Sequence, residues 1–131
     1  MKNLIKISLL SIAIASSAAS AYPAIYCPQT IHCEYGKCEI GSDNFIMSYI
    51  PRPIVDGDYI FRKSSTRTLD PSPAECEYVI SGEEIHNFSI HSKNALSPGV
   101  NIIPNAWTKL SDYTYECSYP SKFCPLIKLF P

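Results

Sequence analysis

The clearest periodicity along the chain is two residues long. From Asp112 to Tyr119, Tyr113, Tyr115, Cys117 and Tyr119 alternate with Asp112, Thr114, Glu116 and Ser118. In an extended strand this puts the rings on one face and the polar groups on the other. Shorter runs rich in β-branched and aromatic residues predict further strands at Ile31 to Glu34, Lys37 to Ile40, Asn44 to Ile50, Tyr59 to Lys63, Glu75 to Ile80, Ile85 to His91 and Phe123 to Phe130. Turn signals separate them: Gly41-Ser42-Asp43, Pro51-Arg52-Pro53, Asp56-Gly57, Asp70-Pro71-Ser72-Pro73, Ser81-Gly82 and Ser97-Pro98-Gly99. Pro125 has no amide hydrogen to give a ladder, which places the last strand at an edge. No segment sustains a 3.6-residue apolar period, so helix is confined to a turn or two, with Asn105 to Leu110 around Trp107 as its place. The pattern predicts an all-β domain, a small antiparallel β-sandwich or barrel.

Composition sharpens this picture. After residue 21, Ile, Val, Tyr, Phe, Trp and Thr outnumber Ala, Leu and Met by more than three to one, which favours strands over helices. Residues 1–21 read as a signal peptide: Lys2 and Lys6, the apolar run Ile7 to Ala15, and Ala19-Ser20-Ala21 as a small-residue cleavage site. This core of nine residues falls well short of the roughly 20 that a membrane span needs. The domain is then residues 22–131, a single unit at this size. Removing the leader takes the formal net charge from −1 to −3, which argues against a nucleic-acid groove or a polybasic membrane patch. Ala24, Ile25 and Tyr26 before Cys27 do not form the small-residue box of a lipoprotein, so no stable membrane anchor is expected. The Ile-rich, Lys-started leader looks bacterial.

All six cysteines follow the cleavage site, at Cys27, Cys33, Cys38, Cys76, Cys117 and Cys124. An even number in an exported chain predicts three disulfides. No C-x-x-C is present to nucleate a zinc ribbon or a redox pair. Six cysteines allow 15 pairings, but one segment carries a register argument. If Tyr35-Gly36 is a two-residue hairpin turn, Cys33 faces Cys38 and Ile31 faces Ile40, while Glu34 meets Lys37 and His32 meets Glu39 on the other face. Tyr35 stands where such turns prefer Asn, Asp or Gly. Cys117 and Cys124 flank a short loop and form a second candidate pair, which leaves Cys27 for Cys76.

Candidate chemistry is sparse. His86 and His91, with Glu83 and Glu84, come nearest to a metal cluster, but their odd separation on a strand puts the two imidazoles on opposite faces. Asp56-Gly57-Asp58 reads first as a hairpin turn between Ile54-Val55 and Tyr59-Ile60-Phe61, and only second as calcium ligands. No nucleophile elbow, S-x-x-K or phosphate loop occurs, so neither catalytic residues nor a cofactor are expected. Nine tyrosines and Trp107 remain. Tyr suits contact surfaces because it carries a rigid apolar body and a polar tip, and Tyr113, Tyr115, Tyr119 and Trp107 are the candidate binding surface.

The order of Cys27-Pro28, the Cys33, Gly36, Cys38 cluster, Cys76-Glu77-Tyr78, the lone Trp107, and Cys117 with Cys124-Pro125 resembles a family of small exported bacterial proteins, domain of unknown function 3757. The resemblance implies export and a disulfide framework and adds nothing about chemistry. The expectation is a periplasmic or secreted module that binds a protein or glycan partner. Two rivals stand beside it. One is a small extracytoplasmic enzyme built from His86, His91, Glu83 or Asp112. The other is a hydrolase inhibitor presenting Leu69 to Pro73 or Ala95 to Gly99.

Overall fold

A computed structural model describes residues 23–49, 54–67, 72–80, 83–99 and 106–128, with the backbone alone at residues 49 and 83–87. The leader and the Leu69 to Pro71 part of one proposed inhibitory loop lie outside these residues. Every strand pairing in the described chain is antiparallel, among β1 (Thr30–Glu34), β2 (Lys37–Glu39), β3 (Phe45–Tyr49), β4 (Gly57–Arg67), β5 (Pro73–Ile80), β6 (Glu83–Pro98), β7 (Thr108–Lys109), β8 (Thr114–Cys117) and β9 (Leu126–Lys128), with one 3₁₀ turn at Ser121–Phe123.

The main sheet runs β2-β1-β4-β5-β6-β3. Strand β4 is long enough to hold two neighbours on one edge, β1 along Gly57 to Ile60 and β8 along Ser64 to Arg67. Strand β6 is longer still. Its first part lies between β5 and β3, and its last three residues leave that sheet to pair with β9. Such sheet-switching at an irregular point is how small β domains turn a corner. Here the irregularity lies between the Pro73↔Ala95 and Glu75↔His91 pairs, where β6 has two more residues than β5. Leu126 is further bridged to Ile25 by two backbone hydrogen bonds of 2.7 and 2.8 Å.

One face of the main sheet is buried. Alternate residues of β1 (Ile31, Cys33), β4 (Tyr59, Phe61), β5 (Ala74, Cys76, Tyr78) and β6 (Phe88, Ile90) point into it. Tyr59, Phe61, Tyr78 and Phe88 form a ring cluster with centroid separations of 4.6 to 6.0 Å. Cys27, Phe45, Leu96, Ala106, Cys117, Cys124 and Leu126 complete the core, and Trp107 packs against it and donates its indole N–H to the Pro125 carbonyl at 3.1 Å.

Three disulfides join Cys27 to Cys76, Cys33 to Cys38 and Cys117 to Cys124. The hairpin register is the one the spacing predicts: His32↔Glu39, Cys33↔Cys38 and Glu34↔Lys37. The second local pair has a different context from the expected one. Cys117 and Cys124 do not close a hairpin, because β8 pairs with β4 and β9 with β6. Their bridge instead ties two separate parts of the sheet together through the 3₁₀ turn.

Several expected boundaries are corrected. Asn105 of the expected Asn105 to Leu110 helix lies outside the described residues, and the described part, 106–110, is not helical: residues 106 and 107 are irregular and Thr108–Lys109 pairs with β8. Asp56-Gly57 is not a hairpin turn, because Ile54 to Asp56 form no strand and Gly57 itself opens β4 opposite Cys33. The Phe123 to Phe130 strand shortens at its start to Leu126, after the 3₁₀ turn, and Asp112 to Tyr119 shortens to Thr114–Cys117. Ala95 to Pro98 is paired strand with Leu96 buried, so this part of the Ala95 to Gly99 segment is not a presented loop.

Strands β4 and β6 run past their expected ends at Lys63 and His91 for one reason. A register shift between Phe61 and Lys63 turns Ser64 and Thr66 inward, and in β6 the inward residue after Ile90 is Ser92. Ser64 lies between Cys76 and Cys117 in the pairing of β5, β4 and β8, and all three are buried. A small side chain there leaves room for two disulfides on either side. Ser92 is held by its own bonds, its Oγ donating to the Asn94 carbonyl at 2.6 Å and accepting from the Ala74 N–H at 2.8 Å.

Candidate functional site

Two places on the surface concentrate groups that the fold does not use. The first is the tip of the β1–β2 hairpin. Tyr35 and Gly36 have φ of 52° and 76°, the pair of left-handed residues that a type I′ turn requires. Gly adopts this conformation freely, whereas Tyr there is strained. Its ring is 86% exposed, the highest value among the exposed large apolar side chains. Three constraints hold it in place. The Cys33–Cys38 bridge closes the turn, Asp56 Oδ1 accepts the Tyr35 backbone N–H at 3.1 Å, and His32 Nδ1 donates to Asp58 Oδ1 at 2.7 Å. Glu34, on the same strand as His32, lies 3.6 Å from its Nε2. The tip is therefore an aromatic ring on a rigid stem, surrounded by the carboxylates of Glu34, Asp56 and Asp58.

The hydrogen bond to Asp58, reinforced by Glu34, holds His32 above its ordinary pKa of 6.5 even though it stands in water. A raised folded-state pKa means that the contact contributes below pH 6.5 and is lost as pH rises through the folded-state pKa of His32. An NMR titration of the His32 ring should give a midpoint above 6.5, and Asp58→Asn should bring it back towards that value. His32 keeps Glu39 opposite it across the hairpin, and its side-chain contact goes the other way, to Asp58, which lies directly opposite it on β4.

The second place is the outward face of the main sheet. Part of its charge is paired: Glu77 lies 3.5 Å from Arg62 and 3.8 Å from Lys63, and Lys63 lies 3.4 Å from Glu116. Further along β4 the charges are uncommitted. Arg67, Glu75 and His91, with Ser48, Ser65 and Ser72, line a depression of about 360 Å³. Ser65 is opposite Glu75, and Glu75 is opposite His91, so the three form a row across β4, β5 and β6. Among the described residues no ion pair or hydrogen bond takes up the Arg67, Glu75 or His91 side chain.

The residues expected to form a binding surface differ in exposure. Tyr113 and Tyr119 are exposed at 46% and 45%, Tyr115 is half-buried, and Trp107 is half-buried against the core. Tyr113 sits in the turn between β7 and β8, where Lys109 lies 3.7 Å from Asp112, while Tyr119 precedes the 3₁₀ turn. The alternation of Asp112 to Tyr119 thus gives no continuous aromatic face, since only Thr114–Cys117 is strand. Two further tyrosines, Tyr59 and Tyr78, are fully buried. Of the candidate enzymatic set, Asp112 lies beside Lys109 and His91 beside Glu75, and the side chains of Glu83 and His86 lie outside the described residues. Among the described residues no three His, Cys, Asp or Glu side chains are grouped to hold a metal ion, and no helix is long and apolar enough to cross a membrane.

In the sequence Tyr35 is legible only as an imperfect turn residue, and its mismatch with the conformation a two-residue turn requires is the signal that marks it. The depression was missed because its row exists only through the long-range register of three strands. No protein-family profile, curated protein or solved structure matches this chain.

Proposed function

We propose that this chain is an exported, disulfide-stabilised binding module that engages a protein or glycan partner through an exposed tyrosine. The leader-like residues 1–21, the three disulfides and the resemblance to an exported family support export. The observation that carries binding is Tyr35. A strained left-handed Tyr with a solvent-exposed ring gives the fold nothing that Asn or Gly would not supply more cheaply. Its value then lies in what the ring touches outside the chain. The disulfide and the Asp56 contact pre-organise the ring, which lowers the ordering cost of association.

The test is Tyr35→Asn, assayed by retention of the oxidised protein's partner in a pull-down and on a glycan array. The variant should be as stable as the parent, or more stable by about 0.5–1 kcal/mol through relief of strain, while retention falls at least tenfold. Undiminished retention by the folded variant would defeat the reading.

A further inference from the structure

The depression on the outward face is a second and independent feature. We propose that it binds a carboxylated sugar of the uronic-acid type, with the carboxylate on Arg67 and the ring hydroxyls on the row Ser65, Glu75 and His91. The charges present exclude simpler ligands. A simple anion such as phosphate would engage Arg67 but would bring no row of hydroxyls to Glu75, Ser65 and His91. A cation would engage Glu75 but would bring no negative group to Arg67. An apolar ligand would strip water from guanidinium, carboxylate and imidazole and return no hydrogen bond. What satisfies all of them is a ligand negative at one end and rich in hydroxyls at the other.

The layout matches that requirement. Strands lie about 4.8 Å apart, so the Ser65, Glu75, His91 row spans about 10 Å across the sheet. Arg67 is two residues further along β4, about 7 Å from that row, and by the register Ser65↔Glu75 it falls beside Pro73. A single pyranose ring bridges such a gap. Glu75 accepts from sugar hydroxyls, His91 can donate or accept, and Ser65 and Ser48 can do both. The planar guanidinium of Arg67 matches a carboxylate through two parallel hydrogen bonds. Pro73 has no N–H and presents apolar C–H surface to the sugar face. Ser48, the extra residue where the β3 register shifts, closes the rim on the far side. The contrast within one sheet face supports a ligand role: Arg62, Lys63, Glu77 and Glu116 neutralise each other, while the charges lining the depression do not.

The experiment is a ¹⁵N NMR titration of the oxidised protein with D-galacturonic acid, D-galactose and inorganic phosphate at matched ionic strength. Galacturonate should give saturable shifts centred on residues 65–67, 75 and 91. Galactose should bind there about tenfold more weakly, for want of the charge-assisted pair. Arg67→Gln should reduce galacturonate to the galactose level, and Glu75→Gln should weaken both sugars; both positions are exposed, so the fold should be retained. Phosphate or galactose binding as well as galacturonate, or shifts that fail to saturate at these residues, would overturn the proposal. Its failure is separable from that of the tyrosine reading. Loss of retention in Tyr35→Asn with a silent depression defeats this site alone. Full retention in Tyr35→Asn with a responsive depression defeats the tyrosine tip alone.

Discussion

Replacing Cys27 and Cys76 together by alanine is expected to destabilise the protein by about 4 kcal/mol, whereas replacing Cys33 and Cys38 costs about 2 kcal/mol. The chain-entropy argument sets the ratio. Cys27–Cys76 spans 49 positions, against 5 for Cys33–Cys38 and 7 for Cys117–Cys124, and a longer closed loop removes more freedom from the unfolded chain. The native side works in the same direction. Cys27 and Cys76 are both buried, and the bridge pins the segment before β1 across the inner face of β5. That segment is wired at each step: Ile25 to Leu126, the Pro28 carbonyl to Tyr78, the Gln29 carbonyl to the Phe61 N–H, and the Gln29 side chain to the Ser121 N–H. Releasing the bridge loosens all of these together. With a typical domain stability of 5–15 kcal/mol, the double variant loses a large share of it. Urea midpoints of the two double variants, with the other bridges oxidised, read the difference. Equal shifts would mean that the long bridge adds nothing beyond the local one.

The same contrast shows what was legible in the amino-acid sequence. The Cys33–Cys38 hairpin could be read because all its determinants lie within eleven residues, and its register follows from the turn. The class of fold could be read because turn residues and β-branched runs punctuate the chain throughout. What could not be read depends on partners far away. Strand β4 continues through Ser64, Ser65 and Thr66, a stretch without apolar alternation. It stays in the sheet because β5 and β8 flank it and because Ser64 fits between two disulfides. Strand β6 continues through Ser92 because Ser92 carries its own hydrogen bonds, and then crosses into a second sheet. Periodicity reports burial of apolar side chains, and it falls silent where hydroxyls are buried instead. The helix expected around Trp107 fails for a related reason: the indole is anchored to the Pro125 carbonyl and the core, contacts that sequence spacing does not reveal. The row Ser65, Glu75, His91 is the extreme case, since each residue is unremarkable on its own strand and meaningful only across three.

The second large effect is expected at Tyr78. Its side chain is fully buried, stacks on Phe88 at 5.4 Å, meets Phe61 edge-on at 6.0 Å, and donates its hydroxyl to the Pro28 carbonyl at 2.6 Å. Tyr78→Ala empties the centre of the ring cluster and should cost about 3–5 kcal/mol. Tyr78→Phe keeps the packing and removes only the hydroxyl, leaving the Pro28 carbonyl short of a donor, so about 1–2 kcal/mol is expected. The two variants also separate by pH. Burial pushes the Tyr78 phenol far above its ordinary 10.0. The folded protein therefore keeps this proton at a pH where the unfolded chain gives it up. The stability associated with the buried phenol is complete below pH 10 and falls above it, by at most about 1.4 kcal/mol per pH unit. Tyr59, raised in the same direction chiefly by burial, adds to the trend. Tyr78→Phe has no such proton to lose, so its deficit against the parent should shrink between pH 10 and 11. No described cysteine is free, so no resident thiolate starts disulfide exchange in this range. Urea unfolding of parent and Tyr78→Phe at pH 8, 10 and 11 reads the effect directly. A deficit that stays constant across that range would show that the phenol ionises alike in the folded and unfolded chain, and would sink the claim that burial controls it.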